Sequence, residues 1–203
     1  MNSTKKKNII VTGGYGFIGS HLVKSLIHKD KLNVINIDNL TYASNINALK
    51  ESKDSNYTHL NIDIANLTNF DEILDEYNPS AIFHLAAESH VDRSIEQPSI
   101  FLKTNVLGTF NLLNGMKKYL AASNKEISND FKMIYVSTDE VYGDIENGQF
   151  SESDNVLPNS PYSSSKASSD LIVRAWNKTY NLPLITTRCT NNYGPWQFPE
   201  KLI

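Results

Sequence analysis

An apolar run, Asn8-Ile9-Ile10-Val11-Thr12, breaks into Gly13-Gly14-Tyr15-Gly16-Phe17-Ile18-Gly19 and then into a helical stretch from Phe17 to about Lys29. Few folds accommodate that order. Glycines allow a tight strand-to-helix turn and let another backbone come close, and the start of the helix offers unpaired N–H groups to an anion. The rest of the chain keeps the alternation. Strands are predicted at Asn33–Ile37, Tyr57–Asn61, Ala81–Leu85, Met133–Ser137 and Leu184–Arg188. Helices are predicted at about Asn69–Tyr77, Ser99–Tyr119 and Tyr162–Tyr180, with a polar surface loop over Ala121–Asp130. Nearly continuous apolar strands separated by helices imply an α/β fold, a Rossmann-like doubly wound parallel sheet covered on both faces. Ligands of such sheets bind at the C-terminal strand ends, near the switch point.

Composition narrows the classes. With 203 residues, 40% hydrophobic, 20% charged and a net charge of −3, the chain has one good core and no basic face for nucleic acid. Lys5-Lys6-Lys7 is expected to be a solvated tail. The single cysteine, Cys189, rules out an intrachain disulfide and a CxxC site, and His21, His28, His59, His84 and His90 show no metal-binding spacing. No metal site is therefore expected. No stretch reads as a membrane span or signal peptide, so the expected location is the cytoplasm. In that setting Asn66-Leu67-Thr68 and Asn177-Lys178-Thr179 are chance matches to the glycosylation pattern.

The glycine turn is therefore expected to bind a pyrophosphate. Asp38, 19 residues after Gly19, stands at the end of the second strand, where a carboxylate accepts from ribose hydroxyls and repels a 2′-phosphate. With no arginine nearby, NAD is favoured over NADP. Asp63 either meets the adenine or caps the helix after it. Tyr162 and Lys166 lie one helical turn apart. A phenol is a poor base at neutral pH, and the neighbouring ammonium and a positive nicotinamide are expected to lower its pKa. Ser137-Thr138-Asp139-Glu140 adds two carboxyl groups that alcohol oxidation does not require. For both to serve one ligand, the backbone has to leave strand geometry near Thr138.

Gly13-x-x-Gly16-x-x-Gly19, Leu85-Ala86-Ala87-Glu88-Ser89-His90-Val91-Asp92, Tyr162-x-x-x-Lys166 and Asn191-Asn192-Tyr193-Gly194-Pro195 resemble the extended short-chain dehydrogenases/reductases. Thr138-Asp139-Glu140-Val141-Tyr142-Gly143 narrows the resemblance to the nucleotide-sugar 4,6-dehydratases, above all the dTDP-glucose type, from Asn8 to the last residue. The resemblance implies a hydro-lyase of deoxysugar biosynthesis, rhamnose-type. It converts a nucleotide-diphosphate glucose, dTDP- or UDP-linked, to the 4-keto-6-deoxy sugar by C4 oxidation, loss of water across C5 and C6, and hydride return to C6. It implies Thr138 on the 4-hydroxyl, Tyr162 as its base, Lys166 on the nicotinamide ribose, Glu140 as the C5 base and Asp139 as the acid for the leaving 6-hydroxyl.

By residue-by-residue matching, Gly13, Gly16, Phe17, Ile18, Gly19, Asp38, Asn39, Leu40, Thr41, Asp63, Ile64, Leu85, Ala86, Ala87, Ser89, Thr104, Tyr162, Lys166 and Asn192 line the cofactor. Ser89, Thr138, Asn191, Lys201 and Leu202 meet the substrate, Trp196 and Phe198 wall the pocket, His90 is a loop histidine and Glu88 a structural support. The two long helices match those through which relatives form homodimers. The family continues past Ile203 into a substrate lobe. Residues 1–190 are thus expected to form the NAD-binding domain and 191–203 the start of a substrate-binding region, within a piece of a longer protein. A 4-epimerase of the same superfamily would use Tyr162 and Lys166 without the carboxyl pair, and a non-catalytic NAD-binding module is the alternative from another class.

Overall fold

The computed structural model describes residues 6–52, 56–122 and 130–199. Strands β1 (Asn8–Thr12), β2 (Asn33–Ile37), β3 (Tyr57–Leu60), β4 (Ala81–His84), β5 (Lys132–Thr138) and β6 (Leu184–Cys189) pair in parallel in the order β3-β2-β1-β4-β5-β6. The chain winds outward from β1 to β3, returns to the other side of β1 with β4, and winds outward again. β1 and β4 therefore flank the switch point. The helices are α1 (Phe17–His28), α2 (Phe70–Tyr77), α3 (Val91–Glu96), α4 (Pro98–Phe101), α5 (Thr109–Ala122) and α6 (Pro161–Tyr180).

Alternation within the strands divides the core. Ile10, Ile35, Ile37, Ile82, Met133 and Tyr135 bury against Phe70 and Leu74 of α2, Leu112, Leu113 and Met116 of α5 and Val173 of α6. Ile9, Val11 and Val34 point the other way, onto Val23, Leu26 and Ile27 of α1. The doubly wound α/β sheet expected from the sequence is present, and its strands lie within about two residues of the expected positions.

The elements not foreseen include three that shape the site. The predicted helix from Ser99 is continuous from Pro98 to Ala122, but Leu102–Gly108 is wound as π-helix between α4 and α5. α3 fills part of what read as a loop, and a 3₁₀ turn, Asp139–Tyr142, follows β5 directly. Of the expected surface loop, residues 123–129 lie outside the described residues, as do Lys201 and Leu202.

α5 packs closely on α2 through Gly115, where an added Cβ would lie 2.6 Å from the Phe70 Cβ and 3.0 Å from the Asp71 backbone nitrogen. Helix propensity favours alanine over glycine by about 1 kcal/mol, whereas overpacking against a rigid neighbour costs about 1–3 kcal/mol. We expect the clash to win. Gly115→Ala lowers the urea midpoint, and an unchanged or raised midpoint would show that α2 can move aside.

Candidate active site

The glycine turn is held from below. Gly13 takes φ +75°, and a Cβ there would sit 2.7 Å from Ala86 backbone atoms, so only glycine admits the loop after β4. Buried Asn36 receives the Gly14 N–H at 2.8 Å and donates to the Tyr57 hydroxyl. Asp38, also buried, accepts from Tyr15 N–H on Oδ2 and from Leu40 N–H and the Ser44 hydroxyl on Oδ1, each at 2.9 Å. Three of roughly four acceptor positions are thus filled, which leaves room for one further donor on Oδ2.

Behind the turn runs a hydrogen-bond chain whose direction can be assigned. The Thr109 hydroxyl donates to the Asn105 carbonyl at 2.5 Å, so it accepts from His84 Nε2–H at 2.9 Å. His84 Nδ1 then accepts the Thr12 hydroxyl at 2.7 Å, and Thr12 Oγ1 accepts the Ala86 N–H at 3.1 Å. His84 is neutral here, its pKa pushed down to about 3 by burial and secondarily by the Lys166 charge. Asn105 completes the frame. Its side chain accepts from Glu88 N–H at 2.8 Å and donates to the Glu88 carbonyl and to the Ser165 hydroxyl of α6.

At the far side, the backbone leaves β5 at Thr138 and turns at once into the 3₁₀ element. Thr138 Oγ1 accepts the Glu140 N–H at 3.2 Å and donates to Asp139 Oδ1 at 3.3 Å. Buried Val141 and Tyr142 anchor this turn, and Arg188 Nη1 bonds the Tyr142 hydroxyl at 2.6 Å while its Nε pairs with Asp170. The departure from strand geometry that the carboxyl pair required is therefore present. α6 starts with a Ser160/Ser163 capping box and Pro161, and Ser94 of α3 accepts the Tyr162 N–H at 3.1 Å. Lys166, 4% exposed, donates to the Val136 carbonyl at 2.7 Å, and burial lowers its pKa to about 8.

One groove along the strand ends gathers these parts. Its first half is walled by Gly13, Gly16, Asp38, Asn39, Thr41, Asp63, Ile64, Leu85, Ala86, Ala87 and Thr104. Its second half is walled by Phe17, Ile18, Gly19, Ser89, Thr138, Glu140, Tyr162, Lys166, Asn191, Asn192 and Phe198. Two expected wall residues stand elsewhere. Leu40 walls neither half, because its side chain packs on the α1-side core. Trp196 faces Lys24 instead of the groove. Asp139, next to the groove residue Glu140, has its carboxylate turned to the Thr138 hydroxyl. Asp63 caps the 3₁₀ turn Ile64–Asn66 and also reaches the groove, and His90 caps α3 by accepting the Arg93 N–H.

The expected lowering of the Tyr162 pKa by Lys166 is not found. The Tyr162 phenol is held above its ordinary pKa, first by burial and then by the Glu140 carboxylate, with a Thr138 hydrogen bond pulling the other way. The Lys166 ammonium is directed to Val136 rather than to the phenol. Sequence reading also missed Ala43, Ser44, Val136, Ser137, Cys189, Thr190 and Gln197 in the wall. Their only signal is position, in the last residues of β5 and β6 or in the loops that follow β2 and β6. Among the described residues no cluster of His, Cys, Asp or Glu is arranged to hold a metal, and no helix is long and apolar enough to cross a membrane.

The sheet order, the glycine turn at the switch point and the Tyr162–Lys166 helix together define a Rossmann-like short-chain dehydrogenase/reductase architecture. The family model described as GDP-mannose 4,6 dehydratase matches residues 10–203, and the chain belongs to that family. It is 48% identical to dTDP-glucose 4,6-dehydratase of Salmonella typhimurium over 96% of this chain and 57% of that protein, and 47% identical to the Neisseria gonorrhoeae enzyme over 100% and 60%. The crystal structure of dTDP-glucose 4,6-dehydratase DesIV from Streptomyces venezuelae, with NAD and TYD bound, superposes with a TM-score of 0.86 at 44% identity, covering 97% of this chain and 59% of that one. UDP-glucose 4-epimerase of Thermotoga maritima gives 0.81 at 32% identity, covering 96% of this chain and 59% of that one. The chain thus spans less than two thirds of the length of these relatives.

His84 links the site to acid stability. Its folded pKa lies below its unfolded value near 6.5, so its contribution is fully present above pH 6.5 and is lost as pH falls from there toward about 3. His84→Gln removes the titration. The urea midpoint of the wild type is expected to fall more steeply than the variant's between pH 6.5 and 4; parallel curves would exclude His84 as a source of the acid sensitivity.

Proposed function

We propose that this chain carries the NAD-binding and catalytic part of a nucleotide-sugar 4,6-dehydratase whose substrate is dTDP-glucose. The observation that carries the reading is the meeting of Thr138, Glu140, Tyr162 and Lys166 on one groove with the glycine turn. The groove suits NAD. α1 starts at Gly16 with no side-chain cap and no acidic residue in its first turn, so its N–H groups are available to a diphosphate. Asp38 retains an acceptor position for a ribose hydroxyl, and among the described residues no lysine or arginine walls that half to favour a 2′-phosphate. When bound, NAD supplies a hydride acceptor, which later gives the hydride back, and a positive ring that opposes the charge of Glu140 near the phenol.

The residues divide the proton work. Tyr162 takes the proton of the sugar 4-hydroxyl, which the Thr138 hydroxyl orients. Lys166 is fixed on the Val136 carbonyl and so presents its remaining donors to a ribose. With a ketone at C4 the C5 hydrogen becomes acidic, and Glu140 is the carboxylate positioned to remove it. Asp139 protonates the departing 6-hydroxyl, which requires it to rotate away from Thr138. The division requires one carboxyl to give a proton and its neighbour to take one. A 4-epimerase needs neither carboxyl, and the 3₁₀ turn that presents Glu140 favours dehydration. Residues 191–203 would begin the substrate region. A homodimer through the outer faces of the Pro98–Ala122 and α6 helices is part of the reading, supported by exposed Ile100, Leu102, Leu107 and Leu171.

Incubation of the protein with NAD and dTDP-glucose or UDP-glucose tests the proposal. A 4-keto-6-deoxy product from dTDP-glucose supports it, a galactose product indicates epimerisation, and NAD binding without turnover indicates a binding module. Tyr162→Phe is expected to abolish C4 oxidation, a loss of roughly 10²–10⁴-fold or more for a proton-transfer group. Glu140→Gln should retain oxidation and accumulate NADH absorbance. Because Glu140 raises the phenol's pKa, the oxidation in this variant should also extend to lower pH. Normal turnover by Glu140→Gln would remove it as the C5 base.

A further inference from the structure

Strands β2 and β6 are four spacings apart in the sheet, about 19 Å at about 4.8 Å per spacing. The loops that leave their C-terminal ends nevertheless touch. Phe198, after β6, meets the ring of Tyr42, after β2, edge to face at 5.4 Å. To make that contact the chain from Thr190 must cross the ends of β5, β4 and β1, directly above the groove. It is held along the way: His21 Nε2 bonds the Pro195 carbonyl at 2.9 Å, and Gly194 lies against Phe17. Trp196 takes φ +68°, an uncommon conformation for a bulky side chain, and sits over Lys24.

A third residue closes the contact. The guanidinium of Arg93 stacks on the Tyr42 ring with its central carbon 3.6 Å from the centroid. Arg93 belongs to α3, which begins just past Ser89 of the groove wall and is tied to α6 by Ser94. Phe198 and Tyr42, from two loops, and Arg93, from α3, therefore meet at the groove from three separate segments. Guanidinium–aromatic stacking and edge-to-face pairs are each worth only about 1 kcal/mol, strong enough to favour closure and weak enough to open on the timescale of loop motion.

We infer that Tyr42, Arg93 and Phe198 form a latch that holds the 190–199 strap across the groove and controls entry and release of the bound dinucleotide. Arg93 is on this reading a positioning residue for the strap and takes no part in the chemistry. The inference rests on the proposal that the groove binds NAD. The latch is closed without help from a ligand, so weakening it speeds passage in both directions. An ordinary ligand contact, by contrast, affects release alone.

Stopped-flow fluorescence with NADH as the probe measures both rates on the full chain. Wild-type binding must be seen first; its failure would overturn the NAD reading itself, whatever the variants do. Given that binding, Arg93→Ala and Phe198→Leu should each raise the association and dissociation rates about 3- to 30-fold, the range that loss of one such contact allows. Arg93→Lys, which keeps a cation over the ring, should fall between them and wild type. Arg174→Ala, an exposed site on α6 away from the groove, should change neither rate. If Arg93→Ala disturbs folding, the Phe198→Leu and Arg93→Lys rates decide. Unchanged rates, or a rise in dissociation alone, would overturn the latch.

Discussion

The chain of hydrogen bonds through His84 is the constraint on which the site depends. It runs from the Ala86 N–H through Thr12, His84 and Thr109 to the Asn105 carbonyl, crossing the switch point between β1 and β4. A parallel sheet leaves a crevice there by topology alone, but topology does not set its width. The chain does, because it binds the loop after β4 to the strand that carries the glycine turn and to the long helix behind both. A charged imidazole would present two donors and have no acceptor to give Thr12, so neutrality of His84 and the direction of the chain are one condition.

The π-helical stretch follows from the same condition. Leu102–Gly108 is wound more widely than the helices on either side, and the Asn105 carbonyl within it accepts from both the Thr109 and Ser169 hydroxyls. Its side chain meanwhile grips Glu88 and Ser165. One residue thus ties the loop of the glycine half to α6. The irregularity is where the two halves of the groove are registered against each other, and π-turns are frequent at functional sites.

Much of this was legible in the sequence because regular elements announce themselves. The apolar strands, the glycine turn and the Tyr162–Lys166 spacing all follow from short-range rules, and each stands near where it was expected. What escaped was set at longer range. α3 has six residues and no apolar period, and it is held by its His90 cap and by Ser94 beneath Tyr162. The π-winding depends on Asn105 meeting partners at residues 88, 165 and 169. Leu40 and Trp196 looked like groove residues by position, but φ values of +56° and +68° accompany side chains that pack or stack elsewhere. Asp139 and Glu140 could not be told apart by sequence. The 3₁₀ turn separates them, turning one to Thr138 and the other to the groove.

The same turn helps explain why the expected lowering of the Tyr162 pKa is not found. A Tyr/Lys pair one helical turn apart suggests a phenol made acidic by an ammonium, yet Lys166 spends its shortest contact on Val136 and is itself pushed toward neutrality by burial. Burial first, and then the Glu140 carboxylate, hold the phenol's proton on. In a groove this enclosed the balance of charge sets the proton's position more than the spacing of the pair does. A cation entering beside Glu140 would cancel the carboxylate's influence and release the phenol toward its basic form. On the proposed division of roles, the carboxylate that acts after the oxidation would thereby restrain the phenol that acts in it until the groove is filled.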